Sequence, residues 1–354
     1  MIKSMSVFSR ARVKALLRVT DMTATQHEDG FSIIELMVAL AILTIVAGVV
    51  TRGMLSITNV QGTINNRTEM HSSVRSATEL LQQEIGQAGR ITLPPANQTP
   101  TLQTAVAVVP GNTVTQLVTL SSTAGMFSGE QLVVDSGTNP ATGVPNQETV
   151  TIQPGTLVGN TFTATFTTSH NVGAAIAVLG AFSSGIVPPG GLTVNGTAVT
   201  GSGPAQLRLY GDINGDGNMV IIQYDCNPNA AGTGTLTRSV TGWNDPGPGP
   251  TLTLLNNLGN NPNNTPCFAY QPNPLTPIQI NGVNVNFITD VAVTLTVQTP
   301  FQDPVTHQFQ QETKALLNVS PRNIFDVWER ASQGTYGRVQ PMPPSVAALL
   351  AQIY

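Results

Sequence analysis

Residues 31–50 read FSIIELMVALAILTIVAGVV, twenty residues in which Glu35 is the only charged side chain. As a helix the stretch is about 30 Å long, enough to cross a hydrocarbon core. An ordinary secretory signal has a shorter apolar run that ends in small residues for cleavage. Here the small residue, Gly30, comes first, so a cut after it would remove a leader of residues 1–30 and leave the whole apolar helix on the mature chain. A carboxylate in a bilayer core costs at least about 2.5–3.5 kcal/mol. Glu35 therefore calls for a cationic partner, and cleavage after Gly30 creates a free amine four residues away, at Phe31. Upstream lie Lys3, Arg10, Arg12, Lys14 and Arg18, whereas only Arg52 follows the helix closely. That asymmetry places the N-terminus in the cytoplasm.

The run Gly30-Phe31-Ser32-Ile33-Ile34-Glu35 followed by LMVALAIL resembles the cleavage and methylation signature of type IV prepilins and the related pseudopilins. The resemblance implies processing by a prepilin peptidase/N-methyltransferase, which cuts after Gly30 and methylates Phe31. It also implies that Glu35 neutralises the terminal amine of a neighbouring subunit during assembly, on an inner-membrane platform, with other pilin or pseudopilin subunits. The implied location is the inner membrane, crossed once with a cytoplasmic leader and a periplasmic head, and then the pilus or pseudopilus, at or near the cell surface. Two weaker likenesses, LLQQEIGQAGR and the late Ser-Pro-Arg-Asn, are similar to segments of large minor pilins of the PilW type and of J-type pseudopilins.

Beyond the span at 31–50, residues 51–90 read as an amphipathic continuation of the helix. Gly48, Gly53 and Gly62 predict bending or local melting. Val74, Ala77, Leu81, Ile85 and Ala88 follow helical spacing, with Arg75, Glu79 and Glu84 facing elsewhere, and Gly89 with Pro94-Pro95 stops the helix. Residues 91–207 contain no Lys or Arg and three acids, Glu130, Asp135 and Glu148. Runs such as QLVVDSG, ETVTIQPG and TFTATFTT alternate between turn residues and predict a β-rich inserted module or enlarged head. His170, in SHNVG, reads as structural or solvent-facing. Residues 208–334 predict a pilin-like β-sheet, with strands at MVIIQYD, TLTRSV, FITDVAVTLTVQT and ETKALLNVS. Asp245 to Pro266 reads as a loop, and a short helix is expected from Arg322 to Ala331. The tail at 335–354 is another short helix or irregular. The fold class is α+β: a long N-terminal helical spine carrying a large β-rich, pilin-like head.

Within LRLYGDINGDGNMVIIQYD, Asp212, Asn214, Asp216 and Asn218 alternate oxygen side chains, with Gly217 in sixth place. That matches the first half of an EF-hand-like calcium loop. The second half departs: Gln223 stands where a bidentate acid belongs, and a strand follows. The alternative is a hairpin in which Asn-Gly and Asp-Gly simply make the turn. No cofactor is certain; calcium is the one candidate. The two cysteines, Cys226 and Cys267, read as a thiol pair, a metal remnant or a disulfide, and an extracytoplasmic body favours the disulfide.

Charged residues make up 10% of the chain, against about 25% in ordinary globular proteins. Outside the leader, ten bases face sixteen acids, so the body lacks the basic stripe of a nucleic-acid binder. No G-x-S-x-G, H-E-x-x-H or phosphate-binding loop occurs. These features predict a non-enzymatic, low-copy minor subunit of a pilus or pseudopilus, acting in assembly initiation or at the tip. A type II secretion pseudopilin and a membrane-anchored adhesin with a β-rich binding head are the alternatives.

Overall fold

Helix α1 runs from Ile33 to Gln87 in the computed structural model, which describes residues 30–93, 99–135, 146–243, 245–272, 275–280 and 282–353. Most of the expected leader, residues 1–29, and the expected stop at Pro94-Pro95 lie outside the described residues. The chain divides into a first unit ending at Thr58 and a second running Asn59–Tyr354. In the first unit every described side chain is exposed, among them Ile33, Leu36, Ile42, Ile45, Val49 and Ile57. A helix that is apolar all round belongs in a bilayer or a core, and among the described residues no core covers this part of α1.

The glycines do not melt α1. Gly48, Gly53 and Gly62 all lie within the helix, because glycine costs only about 1 kcal/mol there and keeps its N–H. At Gly62 the missing side chain has a use: a Cβ would come 3.3 Å from Pro304 Cγ. From Met70 the apolar stripe is buried, through Val74, Ala77, Leu81, Ile85 and Ala88. Arg75 and Glu79 pair with each other in solvent. Glu84 departs from expectation and turns inward, only 5% exposed. Gly89, at φ +76°, ends the helix region; a Cβ there would lie 2.9 Å from the Phe182 carbonyl.

Short strands follow. β1 (Val114–Thr119) pairs antiparallel with the later β4 (Thr161–Phe166), while β2 (Gln131–Val134) lies between β3 (Glu148–Thr151) and β5 (Ile176–Val178). They enclose an apolar cluster of their own, including Leu120, Leu132, Phe162 and Phe166. Next come β6 (Ala181–Phe182) and the hairpin β7 (Leu192–Val194) with β8 (Thr197–Val199).

The main sheet is built from β9 (Gln206–Gly211), β10 (Val220–Asn227), β11 (Gly234–Gly242), β12 (Thr251–Gly259), β13 (Phe268–Gln271), β16 (Asp290–Gln298) and β17 (Gln311–Val319). Between β13 and β16 the small hairpin β14 (Ile278–Ile280) and β15 (Val283–Val285) stands apart. The strand order is β13-β16-β12-β11-β10-β9, with β17 on β16, and every pairing is antiparallel. β12 lies in the segment read as a loop, so that reading is corrected.

Strand alternation covers both faces of β10. Ile222, Tyr224 and Cys226 join the cluster formed with the stripe of α1, whereas Ile221 joins the cluster under the tail. Helix α2 (Arg322–Ser332) buries Ile324, Val327 and Ala331. Strand β18 (Val339–Gln340) pairs with β6, and the tail forms α3 (Pro344–Ile353), burying Val346, Ala347, Leu349 and Leu350. Cys226 and Cys267 form a disulfide with a sequence separation of 41. It joins β10 to the start of β13, where Phe268 N–H also donates to the Pro204 carbonyl (3.0 Å).

Candidate functional site

The first turn of α1 carries the residues that the sequence singles out. Gly30 is exposed, with open space around its Cα, and Phe31 is 84% exposed. Ser32 starts the helix: its carbonyl accepts the Leu36 N–H (3.0 Å), and its hydroxyl accepts the Ile34 N–H (3.3 Å). Glu35 projects from the first turn into open space, where the helix dipole favours an anion. No other charge follows before Arg52. The arrangement is an exposed glycine, an apolar helix, and one carboxylate in the first turn of that helix.

The acidic loop between β9 and β10 divides its oxygen ligands. Asp212 is fully buried, accepts a hydrogen bond from the Thr92 hydroxyl, and lies 3.9 Å from Arg90 Nε. It fastens the end of α1 to the sheet. Asp216 serves the turn, its carboxylate accepting from Asn214 Nδ2 (2.8 Å) and from the Asn218 backbone N–H (2.8 Å). Gly215 and Gly217, at φ +75° and +84°, supply the left-handed turn positions. Among the described residues, no cluster of three or more His, Cys, Asp or Glu side chains is arranged to hold a metal ion.

Three polar groups are buried with partners that the sequence reading did not name. Glu84 accepts from Tyr224 and from both the Nε (3.1 Å) and a terminal nitrogen of Arg238, which locks α1 onto β10 and β11. Burial and the Glu84 carboxylate push the Tyr224 phenol up. His170, wholly buried, sits between two acids, with Nε2 2.8 Å from Glu148 and Nδ1 3.7 Å from Asp135. It joins the ends of β2, β3 and β4 and is structural in that sense. The third is Glu130. One oxygen accepts the Phe127 N–H (3.0 Å), and the other has no partner among the described residues.

Glu130 gives the stability a pH dependence. Burial pushes its carboxyl up to about 8, against the lowering effect of the Phe127 N–H. The folded chain therefore holds a proton that the unfolded chain releases above about 4.5. Its contribution is complete below that value and is lost as pH rises towards 8, with a slope of up to about 1.4 kcal/mol per pH unit. Glu130→Gln should remove this slope. Between pH 5 and pH 7 the wild-type chain should lose about 2–3 kcal/mol more than the variant, in denaturant melts of the full chain in detergent. Equal losses in both chains would show that Glu130 ionises normally.

A family model for the prokaryotic N-terminal methylation motif matches residues 26–51. The match supports a type IV pilin-like or pseudopilin protein, a structural class, and implies processing by a prepilin peptidase and assembly with other pilins. Together with the apolar helix it fits a membrane-anchored pilin. No curated protein and no solved structure matches the chain significantly.

Proposed function

We propose that this chain is a low-copy type IV pilin-like subunit, cut after Gly30, methylated on Phe31 and assembled through α1 into a pilus or pseudopilus. The observation that carries the reading is the methylation motif running directly into an apolar helix whose only charge before Arg52 is Glu35. Such a carboxylate is unfavourable in lipid unless a cation meets it, and the amine of a cut neighbour supplies that cation. The low-copy role rests on bulk: the second unit fills the chain from Asn59 onward, more than a densely packed major subunit accommodates.

The test is mass spectrometry of the mature protein, combined with a count of copies per filament. The terminus should be Phe31 carrying an added methyl group, with few copies per filament. Glu35→Val should be inserted and cleaved normally yet enter filaments about tenfold less, the equivalent of about 1.4 kcal/mol. A mature terminus beyond residue 50 rejects the prepilin reading, and wild-type incorporation of Glu35→Val rejects the charge pair.

A further inference from the structure

Residues 126–131 and the tail strand β18 join the segment that carries β1 to β5 to the rest of the second unit. Met126 belongs to the apolar cluster of β1 to β5, while its neighbour Phe127 joins the cluster under α3. The Phe127 ring centre lies 5.6 Å from that of Phe182, which lies 5.0 Å from that of Tyr210. Gln340 of β18 is fully buried. It accepts the Gln131 N–H (2.9 Å) and donates to the carbonyls of Gln131 (2.8 Å) and Leu179 (2.9 Å). One side-chain amide thus bridges β2 to the tail.

Glu130 lies within this joint, fully buried. Its backbone is held twice, the N–H donating to the Phe127 carbonyl (3.2 Å) and the carbonyl accepting from Ile152 (2.9 Å). Its side chain is held once. Oε2 accepts the Phe127 N–H (3.0 Å), while Oε1, like the Gln131 Oε1 beside it in the chain, has no partner among the described residues. Buried polar atoms without partners are poorly compensated, and a carboxylate here would be a buried charge with no cation. The acids Asp135 and Glu148 flank His170 at the far end of β2 and β3. Tyr210 is pushed up by burial and stays neutral. Arg338, on the tail, is half-buried. None of these offsets the burial of Glu130, which only the Phe127 N–H opposes.

We propose that this joint is a pH-sensitive latch, closed while Glu130 is protonated and released as rising pH ionises it. The segment of β1 to β5 then parts from the tail without the main sheet unfolding. The main sheet keeps its own cluster with α1 and its own disulfide, neither of which includes residues 126–131. The inference stands apart from the pilin-like reading and does not need it. Burial holds the closed carboxyl at about 8, whereas an opened one releases its proton above about 4.5. Between those values each pH unit favours the open form by up to about tenfold.

The experiment follows amide hydrogen exchange by mass spectrometry in the full chain in detergent. Glu130→Gln at the same pH is the reference, because the ratio of the two chains cancels the intrinsic pH dependence of exchange. That ratio should rise at least about tenfold from pH 6 to pH 8 in peptides covering 126–134 and 338–343. It should stay level in peptides of β10 and β11. Gln340→Ala should speed exchange of the joint peptides already at pH 6 and leave β10 and β11 as they are. Equal exchange in wild type and Glu130→Gln, a rise shared by β10 and β11, or joint peptides untouched by Gln340→Ala would each overturn the latch.

Discussion

Gly30→Val should leave a chain that is inserted in the membrane at full length and never enters a filament. The expected loss is complete rather than partial, because two consequences of cleavage fail together. The first concerns charge. Residues 1–30 include five bases and three acids, and an uncut leader keeps them attached to the end of α1. Drawing that end out of the cytoplasmic leaflet into a packed filament would carry charges through hydrocarbon, at about 2.5–3.5 kcal/mol for each central Arg or Lys. The second concerns the partner of Glu35, since an uncut Phe31 has an amide N–H where the cut chain has an ammonium. Among the described residues nothing lies within 4 Å of a Cβ built on Gly30, so the valine disturbs no packing there. Mass spectrometry of the membrane fraction should therefore find the leader retained, and a thermal melt should match wild type. A mature Phe31 terminus in the variant would show that the cut does not need Gly30 and would end this account.

Where the sequence was legible, the reason is local repetition. The stripe Val74, Ala77, Leu81, Ile85 and Ala88 declares itself by helical spacing, and the runs QLVV, ETVT and TFTATF declare strands by alternation. The apolar start of α1 is simplest of all, since its composition alone stands out. What escaped depends on partners distant in the chain. Glu84 looks like another solvent-facing acid beside Glu79, and Arg238, which draws it inward, lies 154 residues away. β12 was hidden by Asn256-Asn257 within TLTLLNNLG. The register against β11 shifts there, and Asn257 takes φ +62°, a bulge that strict alternation cannot describe. In the acidic loop the alternation of oxygens was plain, but not their destinations. Asp212 goes to Thr92 and Arg90 because the end of α1 passes over the start of the loop, a fact of tertiary structure.

The second large effect concerns that hidden acid. Arg238→Met should destabilise the chain by about 3 kcal/mol, the lower end of the range for breaking a buried ion pair. The lower end applies because the Arg238 side chain is 20% exposed while that of Glu84 is 7% exposed, so water reaches one partner and scarcely the other. Methionine keeps much of the packing of the arginine stem but takes away both guanidinium donors, leaving Tyr224 as the remaining side-chain donor to Glu84 among the described residues. The cost is chiefly that of an under-compensated buried carboxylate, not of a lost attraction. Glu84→Leu in the Arg238→Met background should therefore recover much of the loss, even though it removes the last polar member on the helix. In thermal melts of the full chain in detergent the single variant should fall by roughly 5–10 °C, and the double variant should lie closer to wild type. The recovery should appear as a coupling of at least about 1 kcal/mol in the double-mutant cycle. Additive losses would mean that Glu84 and Arg238 contribute independently, and the ion pair would then not be what fastens α1 to β11.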